Sequence, residues 1–192
     1  MDAIETLDIQ RFPKQYENMM TEAVLLSEKI ACKLRSLMYA STDVRKPAYL
    51  KKAADVHGIE ITYQDEILSI VLPRLLPKRG GKYSSLFLME PLHAALEEFT
   101  ETEAFPKFGE CTVCIVHYYD KRVFDKPLYD FDNLQQKQLL DTIAAHVLID
   151  DSASLCNVFC TALCRESNYT KVYIMEKERF KEWLPLPGDD KN

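Results

Sequence analysis

Between residues 13 and 38, apolar side chains recur every three or four positions, at Tyr16, Met19, Met20, Ala23, Leu26, Ile30, Leu34 and Leu37, with Ser27 as a small break. That is the spacing of one helical face, and it predicts a single long helix with this stripe as core or dimer contact. Pro13 suits the first turn, and Ser41, Thr42 and Asp43 prefer turns to helix interiors. A second, shorter helix is expected over residues 46–56, stopping at Gly58. From there the period changes. Ile59 and Ile61 alternate with polar neighbours, Gln64, Asp65 and Glu66 make a turn, and residues 67–72 are largely aliphatic with β-branched members, which predicts a hairpin. Prolines and glycines mark residues 73–82 as a basic loop. Pro91 opens a helix whose apolar face is Leu92, Ala95, Leu96 and Phe99 and which ends near Thr102. Residues 111–119 then read as a strand, 133–148 as a helix with Leu140, Ile143, Ala144 and Val147 inward, and 153–164 and 171–175 as strands. Phe180, Trp183 and Leu184 lie on a last short helix. Two helices followed by β-β-α-β-α-β-β-α is an α+β pattern.

With 192 residues, 47% apolar and 28% charged, the chain has a globular composition and can bury roughly 70% of its unfolded surface in one domain. Collagenous, wholly disordered and membrane-embedded classes are excluded, since no apolar run approaches the roughly 18 residues that span a bilayer. The start, Met1-Asp2-Ala3-Ile4-Glu5, has neither the basic nor the apolar part of a secretory signal. The expected compartment is therefore the cytoplasm, and the six cysteines are expected as thiols or metal ligands rather than disulfides. A helical extension over 1–57, an α+β domain over 58–184 and a polar tail over 185–192 is the expected organisation.

The net charge of −6 argues against a polycation that coats nucleic acid. Its distribution is uneven: residues 41–82 carry eight bases (Arg45, Lys46, Lys51, Lys52, Arg74, Lys78, Arg79, Lys82) against five acids, and residues 83–110 one base against six acids. Two solvated surfaces explain this, as does a phosphate-gripping face formed by residues 74–82 and 45–52.

Carboxylates collect at element ends. Asp130 and Asp132, two apart in an extended segment, point the same way, and the following helix delivers the chain to Asp150 and Asp151. Such a set suits Mg²⁺, which takes hard oxygen ligands and keeps waters for a phosphate and a nucleophile. On residues alone the alternative stands beside it: Asp132 and Gln135 form a capping box, and Asp150-Asp151 a turn.

The run Asp130-Phe131-Asp132-Asn133-Leu134-Gln135, with Asp150-Asp151 downstream and residues 69–73 as a first strand and proline, resembles the RusA family of Holliday junction resolvases. The resemblance covers residues 58–175. It implies a RusA-like small mixed sheet with packed helices, preceded here by the N-terminal helices. It further implies a homodimeric Mg²⁺-dependent endonuclease, with Mn²⁺ as a substitute, whose metal ligands are Asp130, Asp132 and Asp151 with Asp150 adjacent. A functional Lys four residues after the second Asp belongs to that pattern. Here that position is Gln136, and Lys137 follows it. The whole chain also resembles an uncharacterised family carried on conjugative elements of Gram-positive bacteria.

Cys111, Cys114 and His117 have ligand spacing, but on a strand Cys114 faces away from the other two, and Cys156, Cys160 and Cys164 share one face as a small-residue strand under a helix would. Zinc is accordingly not expected. His57, His93 and His146 read as isolated. Two functions follow: a Mg²⁺-dependent, structure-selective DNA endonuclease of a mobile element, acting on branched or duplex DNA with Asp130, Asp132, Asp151 and Lys137 as its catalytic groups, or a catalytically inactive module on the same fold that binds DNA or a mobile-element partner protein.

Overall fold

A computed structural model describes residues 13–41, 46–77, 82–103, 105–120 and 134–184. The described elements follow the expected α+β order: α1 (Pro13–Ser41), α2 (Lys46–His57), β1 (Glu60–Gln64), β2 (Ile67–Leu72), α3 (Lys82–Thr102), β3 (Cys111–Asp120), α4 (Gln136–Val147), β4 (Cys156–Arg165), β5 (Tyr169–Glu176) and α5 (Lys177–Trp183). They build one mixed five-stranded sheet in the order β1-β2-β5-β3-β4. All neighbours run antiparallel except β3 and β4, which are parallel from Cys111↔Cys156 to Asp120↔Arg165. The parallel pair is joined through α4, as a crossover connection requires.

Period-two alternation sorts the side chains to two faces. Leu68, Ile70, Leu72, Val113, Ile115, Val172 and Ile174 point to one side and meet Leu88, Leu92 and Leu96 of α3 and Leu139, Ile143 and Val147 of α4. Cys114, Val116 and Tyr118 point to the other, against Phe180 and Trp183 of α5 and the rings of Phe159, Tyr169 and Tyr173. β3 is buried along its whole length because both faces are covered.

Local signals explain the boundaries. Gly58 ends α2 at φ +72, with its N–H donating to the Asp55 carbonyl and the Ile59 N–H to the Ala54 carbonyl, each at 3.0 Å. That is a Schellman ending, and the left-handed residue is a glycine as it should be. The β1–β2 hairpin turns on Asp65 (φ 51) and Glu66 (φ 64), between Gln64 and Ile67. Two successive positive φ angles define a type I′ turn, which favours Asp-Gly over Asp-Glu. Glu66→Gly is therefore expected to raise stability by about 0.5–1 kcal/mol in urea unfolding, and a loss of stability would show that the Glu66 side chain contributes more than its backbone costs.

Two expectations are corrected. Pro91 does not open α3; it lies inside a helix that starts at Lys82. The buried residues Leu88, Met89, Leu92 and Leu96 keep the helical period through the proline, so packing offsets the hydrogen bond that Pro91 cannot donate to the Phe87 carbonyl. On α4 Leu139 is fully buried beside the expected Ile143 and Val147, with Leu140 only half-buried.

The two alternatives for the α1 stripe, core or dimer contact, are narrowed. The stripe is not core: Met19, Leu26, Ile30, Leu34 and Leu37 are each at least half exposed. Among the described side chains of α1, those that are buried are instead Glu28 and Arg35, at 5% and 4% exposure. Glu28 pairs with Arg74, and Arg35 lies 3.7 Å from Glu90 of α3 with its guanidinium 5.0 Å over the Phe87 ring. Long-range ion pairs, rather than hydrophobic periodicity, decide which way this helix faces.

Candidate functional site

Asp130 and Asp132 lie outside the described residues. The chain is described again from Leu134, which is fully buried, and Gln135, whose N–H donates to the Pro77 carbonyl at 2.9 Å. Only then does α4 begin. The N-cap position is held by Gln135 with no side-chain cap, so the capping box expected between Asp132 and Gln135 is not the helix start. The extended anchoring of Leu134 in the core delays the helix by three residues.

The two neighbouring positions at that start have different roles. Gln136 is half-buried, its Oε1 accepting from the Cys160 thiol of β4 at 3.5 Å. Lys137, turned about 100° from it, is 80% exposed and donates to both carboxylate oxygens of Asp141 at 2.9 Å. Its ammonium is held above the ordinary lysine range, first by the Asp141 hydrogen bond and charge, then by the more distant charge of Asp151. The Asp151 charge is thus felt at the Lys137 ammonium, whose ion pair is with Asp141. Gln135 Oε1 and Gln136 Nε2 are buried polar atoms with no hydrogen-bond partner among the described residues.

Asp150 and Asp151 are exposed in the turn between α4 and β4, and Asp150 Oδ1 accepts the Ser152 N–H at 3.3 Å. Among the described residues no three His, Cys, Asp or Glu side chains are close enough to hold a metal ion. The other two carboxylates of the site implied by the resemblance, Asp130 and Asp132, lie outside the described residues.

The candidate phosphate contacts divide. Arg74 pairs with Glu28, its guanidinium lying 5.3 Å from the Phe87 ring centre, so it fastens α1 to the rest of the fold. Lys51 lies 3.6 Å from Glu98 and 3.9 Å from Glu101 of α3. Lys52 is exposed, Lys46 and Lys82 open α2 and α3, and Arg45, Lys78 and Arg79 lie outside the described residues.

The sulfur and imidazole groups are sorted by the sheet. Cys111 belongs to the helix-covered face and Cys114 to the other. Burial pushes both thiols up to about 12, which keeps them neutral at physiological pH. Sequence reading missed the pairing of the histidines, because nothing in a spacing of 53 residues announces it. His93 and His146 stack edge to face at 4.3 Å, and burial, then the neighbouring His93, lowers the His146 pKa. His57 stacks on Phe87 at 4.4 Å. His93 also lines a groove of about 430 Å³ with Leu50, Met89, Glu90, Ala94, Glu97 and Thr142. Two carboxylates in its wall make it a poor receptor for phosphate.

No helix among the described residues is long and apolar enough to cross a membrane. No curated protein matches the sequence. A family model described as a family of unknown function, DUF6100, matches residues 1–191, and the chain therefore belongs to the DUF6100 family.

Proposed function

We propose that this protein is a non-catalytic binding module of a mobile element, cytoplasmic, whose partner is protein rather than nucleic acid. The observation that carries the reading is the fate of its cations: Arg74 is taken by Glu28, Lys51 by Glu98 and Glu101, and Lys137 by Asp141. A cation already paired within the chain has little charge left to exchange for phosphate, and the chain as a whole carries −6.

A second reading is favoured by one observation, the reach of the Asp151 charge to the Lys137 ammonium. On it the chain is a RusA-like, homodimeric endonuclease on branched DNA. Asp130, Asp132, Asp150 and Asp151 would hold Mg²⁺ or Mn²⁺, which would supply an activated water and neutralise the scissile phosphate. Lys78, Arg79 and Lys82 would grip the backbone.

One experiment separates the two. The full chain is incubated with branched and linear DNA in Mg²⁺ and in Mn²⁺, alongside thermal melts with and without metal. The binding-module reading expects intact DNA and a melting temperature that metal leaves unchanged. Nicking of branched DNA that Asp132→Asn and Asp130→Asn both abolish, with the metal-free melting temperature preserved, would replace it with the endonuclease. In that event neutralising Lys78, Arg79 and Lys82 together should lower the slope of log K against log salt by about two to three units.

A further inference from the structure

The outward face of α1 has the spacing of a pairing seam. Met19, Ala23, Leu26 and Ile30 follow steps of four, three and four, the a/d rhythm of a coiled coil, and Leu34 extends the strip on its flank. Glu28 and Arg35 fall on the opposite side and are clamped to Arg74 and Glu90, so the helix cannot roll its apolar strip inward without burying two charges unpaired. The strip is thus held toward solvent: Met19 at 54% exposure, Leu26 at 58%, Ile30 at 50% and Leu34 at 60%.

We propose that α1 pairs antiparallel with α1 of a second copy of this chain. The choice of partner rests on charge. Glu22 and Lys29, both exposed, flank the seam on the same side and lie one heptad apart. In the antiparallel register that sets Ala23 against the partner's Leu26 and Met19 against the partner's Ile30, Glu22 faces the partner's Lys29 and Lys29 faces the partner's Glu22. The two-fold axis makes both pairs at once, which is the self-complementarity an isologous dimer needs. A parallel pair would set these charges against Ser27 and Leu34 and gain nothing from them. The inference does not depend on whether the protein cuts or binds DNA.

Sedimentation equilibrium of the full chain tests it. The wild type is expected to be a dimer at micromolar concentration. Leu26→Glu with Ile30→Glu, at positions already exposed, should leave the far-UV spectrum unchanged and raise the dissociation constant by at least about a hundredfold. Glu22→Lys should weaken the dimer about tenfold by setting like charges face to face, and adding Lys29→Glu should restore it. A monomeric wild type overturns the proposal, including the case in which another segment of the chain occupies the strip. A dimer indifferent to the double glutamate variant also overturns it, and failure of the charge swap to rescue rejects the antiparallel register.

Discussion

Acidification from pH 7 to pH 4 is expected to remove about 3 kcal/mol of folding stability through His117 alone. The imidazole is fully buried in β3, its Nδ1 3.2 Å from the Thr170 hydroxyl of β5, and burial lowers its pKa from 6.5 to about 4. The unfolded chain therefore takes up the proton first. Stability is complete above about pH 6.5 and declines as the pH falls toward 4, where the folded protein begins to accept the proton too. Urea unfolding at pH 7, 5.5 and 4, on the wild type and on His117→Gln, measures it. Glutamine keeps a polar group for Thr170 and does not titrate, so carboxylates cancel in the comparison and the difference isolates His117. Parallel pH profiles for the two proteins would show that the buried imidazole does not set acid stability.

The second large effect is an asymmetry at the base of α1. Glu90→Gln is expected to cost about 3 kcal/mol, because it leaves the Arg35 guanidinium without its carboxylate while still almost wholly buried. Phe87 and Tyr49, 5.0 and 6.0 Å from the guanidinium carbon, compensate only in part. Arg35→Met should by contrast be close to neutral, since it removes the charge that has to be desolvated and leaves an apolar stem of similar length. Hydrogen exchange along α1 reads both variants: protection in its second half should fall sharply in the first and persist in the second. Equal, small losses in both would mark the pair as an ordinary surface bridge.

The contrast between α1 and the sheet shows what periodicity can and cannot carry. All five strands were legible, β1 and β4 from alternation and β2 and β3 from aliphatic, β-branched runs, and the sheet buries Leu68, Ile70, Val172 and Ile174 as they imply. The stripe from Met19 to Leu37 stated the helix just as clearly. It did not state what covers the stripe, because a pattern records that a face seeks burial and not whether the cover is intramolecular. The partner that turned the helix over, Arg74, lies 46 residues from Glu28, beyond any local window. The pairing of Arg74 with Glu28 was illegible for the same reason: a basic residue in a proline-rich loop looks alike whether it faces solvent or a buried glutamate. The beginning of α3 was hidden by Pro91, whose local preference for a first turn was overridden by the burial of Leu88 and Leu92 on either side. For the candidate site, the helix between residue 133 and Asp150-Asp151 was legible, although Asp130 and Asp132, which it was expected to bring near Asp151, lie outside the described residues. The inward turn of Gln136 followed from a contact to Cys160 that only the sheet order creates.

That sheet order also governs how the protein is made. The strand synthesised last, β5, is the one that lies between β2 and β3. A nascent chain can form the β1–β2 hairpin early and bring β3 and β4 together later, but neither half has its neighbour until β5 has left the ribosome. Until then β2 and β3 each present a bare, aliphatic edge to every other polypeptide in the vicinity. A substitution that loosens β5 should therefore bare both edges at once and promote aggregation.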